Sequence, residues 1–497
     1  MLTRRKLLKL GLLGSIAGLT GCLSPRGGGF GGAALSGLSV SPFQMPLPIP
    51  AVLLPASSTP TEDYYEITMQ PAELQILPPG SPKTALWAYN GMVPGPTIVA
   101  KKGKAVRVKQ TNNLGSVAHR DGTQVDTTVH LHGGHVPAID DGHPNDLIQP
   151  IGKSTPVLPI KYHLYPNSAK EYHYPNNQDH ATLWYNDHAD DHTGENVYMG
   201  LAGFYLLHDD LELGLNLPSG DYDVPIVIQD KLFNADGSLN YPPLNMNTLQ
   251  SGFLGDTIVV NGAVQPYFQV ANRKYRFRIL NGSNGRQYKL ALSAGSFIQI
   301  GTEGGLLPAP VTKSSFLIGQ AERFDVVIDF SKYPIGTQVE LRNTLSNSGS
   351  GTFKIMRFDV VRQETDPSVV PATLRPIAPL TGSIANRNWQ LALIGNNWTL
   401  NGNTYDMNRV DANPALNSVE TWSFSNFSPN PHPMHPHGGM FQVVGRPDLG
   451  WKDTFNVQNG ETLNVILQFT DYTGDFMLHC HNLEHEDHMM MTQFRIV

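Results

Sequence analysis

Apolar and polar residues alternate in short runs over most of this chain, and few stretches carry the three-to-four spacing of an amphipathic helix. "RKYRFRILNGS" (273–283) and "ERFDVVIDF" (322–330) read as strands, as does "DTIVVNG" (256–262). In "NGMVPGPTIVAKKGKAVRVKQTNN" (90–113) β-type runs are broken by Pro-Gly and Lys-Gly turns. Strands returning about every 8–12 residues predict an all-β protein of sandwiches or barrels. Three strand-rich segments emerge, 61–215, 222–365 and 386–497, with a proline-containing connector at 366–385; no convincing internal repeat is visible.

Composition refines this picture only slightly. A chain of 497 residues exceeds one ordinary core, and Gly 48 with Pro 38 suits many short strands joined by turns. The net charge of -7 points away from a nucleic-acid partner. The first residues read as targeting rather than fold. "TRRKLLK" (3–9) is a twin-arginine signal, an apolar stretch follows, and "LTGC" (19–22) resembles a bacterial lipoprotein cleavage box. The expectation is therefore a signal over 1–21, lipid attachment at Cys22, export by the twin-arginine route, and a periplasmic or cell-surface location. The alternative is an uncleaved N-terminal anchor. Residues 22–60, rich in Gly, Ser, Pro and Ala, are expected to form a flexible tether. Membrane contact is expected through that anchor alone.

Histidines carry the candidate chemistry. Nine of the 18 fall in four clusters: "HLH" (His130, His132), "NDH" (His188), "HPMHPH" (His432, His435, His437) and "HCHNLEH" (His479, His481, His485). Alternate residues of a strand face one side, so each H-x-H pair can hold metal from one sheet face. If Cys22 is lipidated, Cys480 stands alone, and a thiol flanked by imidazoles reads as a metal ligand. One thiolate, imidazoles and a downstream methionine form the blue-copper ligand set: Cys480, His485 and Met490 fit one loop, with His432 as the second imidazole. The other imidazoles suit copper, zinc, iron or nickel alike. A zinc hydrolase would account for them but not for the Cys-His-Met loop.

These clusters, with "YNGMVPGPTI", "TVHLHGG", "DGHP", "GDTIVVNG" and "HCHNLEHEDHMMM", resemble the three-domain multicopper oxidases, in particular the bacterial spore-coat laccase and bilirubin oxidase branch. The resemblance runs from about residue 80 to the C-terminus. It implies three cupredoxin-like Greek-key β-barrels, four coppers, dioxygen as acceptor, a small aromatic reductant and a monomer. It assigns type 1 copper to His432, Cys480, His485 and axial Met490, and type 2 to His130 and His435. Type 3 falls to His132, His188, His437, His479 and His481, with position 186 as the sixth. Asp141 and Glu486 match acidic residues near the cluster, since reducing dioxygen consumes protons. Their plainer readings are a turn residue before Gly142 and a solvated surface acid. His485 is the point where electrons enter, its ring edge at the surface in relatives. His135, His143, His192 and His488 lie at no expected ligand position and read as polar or supporting residues.

The departure is at Asn186. The family pattern W-Y-H-D-H is W-Y-N-D-H here, and "HADDH" lacks the methionine that follows the alanine in relatives. An amide oxygen is a hard, weak donor for a metal that visits the soft cuprous state. Three outcomes are open: weak copper binding with low activity, a tolerated amide or water ligand, or a neighbour such as Asp187 or His192 swinging in. Asp187 faces the opposite side of its strand. Competing function classes are a non-catalytic copper-binding cupredoxin protein and a cuprous or ferrous metallo-oxidase. A copper nitrite reductase would leave the paired type 3 ligands surplus.

Overall fold

The alternation closes into three two-sheet sandwiches, seen in a computed structural model that describes residues 40–153, 163–165, 167–242 and 246–497. In the first, the sheet of Glu62–Leu74, Ala105–Asn112 and Ala169–Tyr174 faces Gly95–Lys101, Ala202–His208, Ala181–Asp187 and Val129–His132. Between them lies a core that includes Ile67, Val108, Tyr172, Leu131, Leu183 and Tyr205. The second builds a seven-stranded sheet around Asp223–Lys231, Lys274–Asn281 and Arg323–Asp329, packed on a five-stranded one. The third sets Ala385–Ile394, Val419–Asn426 and Thr462–Gln468 against Phe455–Val457, His432–Pro436, Gly474–Cys480 and Met491–Ile496. Each sandwich mixes antiparallel pairs with at least one parallel pair, such as 62–74 beside 105–112, 223–231 beside 274–281, and 385–394 beside 419–426. These are cupredoxin-like Greek-key barrels.

The expected signal and Cys22 lie outside the described residues. The tether expected to reach Pro60 is corrected, because the chain is already bound to the body of the protein well before that. Phe43 and Leu47 donate backbone N–H groups to Gln265 (2.8 Å) and Tyr267 (2.7 Å), and Leu53 to Thr97 (2.8 Å). Met45 and Leu47 are buried, Leu47 within the second core. The segment is proline-rich and extended, so it caps sheet edges where a missing N–H costs nothing. The connector is also held down: Asp366 accepts from the Lys274 backbone N–H at 2.9 Å, and Val369 N–H donates to the Asn216 carbonyl at 2.9 Å.

Buried ion pairs join the first two sandwiches. Arg276 forks onto Asp325 (2.9 Å from Nε to Oδ1, 2.5 Å from Nη2 to Oδ2) and also reaches Glu212. Arg278 pairs with Asp223 at 2.8 Å and donates to the Thr182 hydroxyl at 3.1 Å. Planar guanidinium suits such bidentate contacts, and neither side chain reaches water. Truncating one partner strands the other charges in the interior, which costs about 3–5 kcal/mol. Arg276→Leu is therefore expected to lower the urea unfolding midpoint clearly, whereas Arg446→Leu, in an exposed pair with Asp448, should leave it nearly unchanged.

Candidate metal centres

The third sandwich carries a three-residue centre. His432 ends the turn into strand 432–436; Cys480 closes strand 474–480, opposite Met434. A loop then returns through the short helix Leu483–Asp487 to Met490, whose carbonyl accepts the Cys480 N–H at 3.0 Å. His432 Nδ1 lies 3.4 Å from Cys480 Sγ, His485 Nδ1 lies 3.7 Å from it, and the two Nδ1 atoms are 3.2 Å apart. Outer contacts fix both tautomers. His432 Nε2–H donates to Ser428 Oγ (2.7 Å), and His485 Nε2–H to the Gln250 carbonyl (3.1 Å). A neutral imidazole has one donor and one acceptor nitrogen, so both lone pairs converge on the sulfur. Met490 is fully buried in the same core as Cys480. Burial pushes the Cys480 thiol up and His432 down to about 3.

A second, larger set sits between the first and third sandwiches. His130, His132 and His435 converge, as do His188, His437 and His479, with ligand atoms within 4.8 Å in each group. The strand pairing explains the placement: Asn186 lies opposite His130, Trp184 opposite His132, and His435 opposite His479. Again outer nitrogens are tied to oxygen. His130 Nδ1–H donates to the Asp141 carbonyl (2.6 Å), and His437 Nδ1–H to Asp141 Oδ2 (2.7 Å). His435 Nδ1–H donates to the Asp453 carbonyl (2.7 Å), and His188 Nδ1–H to Glu486 Oε1 (2.7 Å). The inner nitrogens then meet lone pair to lone pair, His437 Nε2 with His479 Nε2 at 3.1 Å and His130 Nε2 with His435 Nε2 at 3.4 Å. Burial first, and then the neighbouring imidazoles, holds His130, His435 and His437 well below the ordinary imidazole value. Inner atoms His132 Nδ1 and His188 Nε2 are buried with no hydrogen-bond partner. Buried acceptors aimed at one another without a proton between them are the signature of cation sites. The donor set fits copper at both places.

His132 and His481, with ring centroids 5.0 Å apart, flank Trp184, which lies 5.2 Å from His132 and 5.6 Å from His481. Asn186 Nδ2–H donates to the Asp187 carbonyl at 2.7 Å, which leaves Oδ1 buried and unpartnered. Asp187 turns away and accepts from Thr128 N–H, Ala189 N–H and Asn196 Nδ2. His192 does not reach the centre either; it stacks on His119. His135 pairs with Asp471 at 2.8 Å, His143 meets Gln493, and His488 is buried at the end of helix 483–487.

Two placements, His485 and Asp453, differ from expectation or were missed, and for Glu486 the plainer reading falls. Glu486 is not a solvated acid: it is 3% exposed, with Oε1 on His188 and Oε2 2.9 Å from His479 Nδ1. Burial opposes its charge, yet those two imidazoles hold its carboxyl well below the usual range. His485 does not show a ring edge at the surface. It is 0% exposed, beneath the Gln250 carbonyl of helix Met246–Ser251 and against Trp398 at 4.3 Å. That cover is latched by buried Glu484, which accepts from Phe253 N–H (2.7 Å) and Tyr241 OH (2.8 Å). Asp453 was not singled out at all, although it accepts from His132 Nε2 (3.1 Å), carries the acceptor of His435, and is gripped by Arg323. Gly133 must be glycine there, since φ is +82° and a Cβ would lie 2.4 Å from Asp453 Oδ2. Asp141 ends a 3₁₀ turn before Gly142 (φ +76°) and also holds two imidazoles.

Comparison with known proteins agrees with this chemistry. Residues 71–212 and 375–497 match the multicopper oxidase family. A laccase of Bacillus stratosphericus is 38% identical over 93% of this chain and 100% of its own length. Bilirubin oxidase of Albifimbria verrucaria is 36% identical over 91% of this chain and 81% of its own. Among solved structures, a laccase from Pediococcus acidilactici superposes with a TM-score of 0.81 at 31% identity, over 94% of this chain and 96% of that one. The chain belongs to the multicopper oxidases. It is a laccase-like oxidoreductase whose cofactor is copper.

Asp453 gives the sharpest check on the second centre. Asp453→Ala should weaken copper retention there by about 10–100-fold, the usual cost of losing an outer hydrogen-bond partner of a metal-bound imidazole. A chelator titration following copper per chain tests it.

Proposed function

We propose that this protein oxidises phenols, aromatic amines or bilirubin-like pigments one electron at a time and reduces dioxygen to water. The observation that carries this reading is the pair of lone-pair-lined centres joined through consecutive residues, His479-Cys480-His481. In it, His432, Cys480 and His485 with Met490 hold type 1 copper, and His130 and His435 hold type 2. His188, His437 and His479 hold one type 3 copper, while His132 and His481 hold the other with Asn186 Oδ1 as the weak third donor. Bound copper supplies one-electron exchange with organic donors and with oxygen. The chain's own contribution is to fix most of these imidazoles in their metal-facing tautomers, to exclude bulk water from both centres, and to place two carboxylates beside the second. Asp141 and Glu486 are placed in proton supply on position, each in direct contact with imidazoles of the cluster.

The donor meets protein rather than the His485 ring. Gln250 O, in the cover, is hydrogen bonded to His485, so electron transfer runs through that peptide and tolerates donors of varied shape. This supports outer-sphere oxidation of small aromatics over a shaped substrate pocket. The twin-arginine and lipoprotein-like residues at 3–22 support export and anchoring at Cys22 outside the cytoplasm, and ligands drawn from one chain support a monomer.

Oxygen uptake with a phenolic donor, measured on copper-loaded protein, tests the reading. Cys480→Ser should be silent. The native chain should turn over slowly with fewer than four coppers bound, and Asn186→His should gain activity by about tenfold or more together with the missing copper. Equal rates and equal copper would show that the amide suffices as a ligand. Silence in both the native chain and Asn186→His would overturn the oxidase reading.

A further inference from the structure

One buried side chain, Glu484, holds the chain both before and after helix Met246–Ser251, the helix that covers His485. It is also the residue that precedes His485. Glu484 Oε1 accepts from Tyr241 OH and from Asn284 Nδ2, each at 2.8 Å, and Oε2 accepts the Phe253 backbone N–H at 2.7 Å. Asn284 is itself fixed. Its Nδ2 also donates to the Gly194 carbonyl at 2.9 Å, and its backbone carbonyl takes the Leu483 N–H at 3.1 Å. The carboxylate is thus anchored on the second sandwich and on its own loop, independently of the cover it grips.

The two clasped residues also pack together. The rings of Tyr241 and Phe253 are 5.7 Å apart, and both lie on Tyr198, at 5.0 and 4.7 Å. Toward the cysteine-containing centre the cover presents backbone. The Gln250 carbonyl takes His485 Nε2–H at 3.1 Å and also Asn430 Nδ2, and the Ser251 carbonyl takes Asn482 Nδ2 at 3.5 Å. Gly252, at φ +75°, lies where a Cβ would overlap the Asn482 amide, so the turn into Phe253 sits hard against the ligand loop. Hydrogen bonds between neutral groups are readily exchanged for water, whereas an N–H held by a buried carboxylate is the stronger kind. The Phe253 contact is therefore the one that sets where the cover lies. Glutamate suits this place because both of its oxygens accept. An amide keeping its oxygen on Tyr241 and Asn284 would turn its NH2 against the Phe253 N–H.

We propose that Glu484 is a positioning residue for electron entry, which makes the protein indifferent to the shape of its donor. By clasping Tyr241 and Phe253 it keeps the Gln250 carbonyl on His485, so that small and bulky donors alike stop one peptide short of the ring. Releasing the clasp bares the ring edge, and a small planar donor then approaches more closely than a bulky one. This role rests on His485 as the entry point in the oxidase reading.

Two measurements on copper-loaded full-length protein test it: hydrogen exchange followed by mass spectrometry, and anaerobic reduction of the type 1 copper by a small planar and a bulky phenol of matched potential. In Glu484→Gln the amides of 250–253 should exchange about tenfold faster or more, the weight of one hydrogen bond to a buried charged acceptor. Strand Gly474–Cys480 should exchange as in the native protein. Tyr241→Phe, which removes only a hydroxyl, should shift the same amides in the same direction by less. In both variants the small phenol should gain rate relative to the bulky one, a ratio that general loosening of the fold does not move. Unchanged exchange in both variants, or an unchanged ratio where exchange has risen, would overturn the role of Glu484 and leave the oxidase reading untouched. Faster exchange with no reduction by either phenol in any of the proteins, the native one included, would overturn the oxidase reading and this role with it.

Discussion

Everything in this molecule is arranged around a repulsion: neutral imidazoles buried with their lone pairs facing one another. Left alone, His437 and His479 at 3.1 Å between Nε2 atoms, or His432 and His485 at 3.2 Å between Nδ1 atoms, would rotate or take up protons. The fold prevents both. The outer N–H groups of His130, His432, His435 and His437 are held by oxygens that cannot move: a strand or turn carbonyl, a buried carboxylate, or the Ser428 hydroxyl. Burial removes the option of protonation. What remains favourable is a soft or borderline cation, and the surrounding β-sandwiches supply the rigidity that holds these lone pairs facing one another.

That rigidity is shared between the three sandwiches rather than held by one. Asp453, from the third, receives His132 from the first and Arg323 from the second, and its own backbone carbonyl receives His435. Arg323 Nε in turn donates to the Thr182 carbonyl, on the strand that ends at Asn186 and Asp187. The second sandwich contributes none of the proposed copper ligands. Its part is to brace this joint and, through helix 246–251, to roof the cysteine-containing centre. A charge pair so deep is poor evidence of net stability; its value is that it admits one registration of the sandwiches, and thereby one position for eight side chains.

Much of this was legible in the sequence because both signals are short-range. Period-two alternation marks the strands, and the same period puts His130 beside His132 and His479 beside His481 on one face. What was not legible is whatever depends on distant segments meeting. Asp453 in "WKDTF" and Ser428 in "SNFSPN" look like ordinary polar residues until a histidine docks on each. The cover over His485 comes from a segment 235 residues away. Residues 42–53 carry a tether's composition, yet extended proline-rich chain also fits a sheet edge, and composition does not separate the two.

Asn186 shows where the arrangement loses its symmetry. One type 3 position is complete, three imidazoles with Glu486 behind two of them. The other has His132, His481 and an amide whose Nδ2 is committed to the Asp187 carbonyl, so that only Oδ1 can face inward. The oxygen therefore cannot be exchanged for the nitrogen by a simple flip without losing that bond. A hard oxygen donor penalises the reduced metal more than the oxidised one. The deficit is accordingly one of redox balance within the pair, concentrated in the half of the cycle where electrons are stored. It leaves the cysteine-containing centre, which shares none of these ligands, intact.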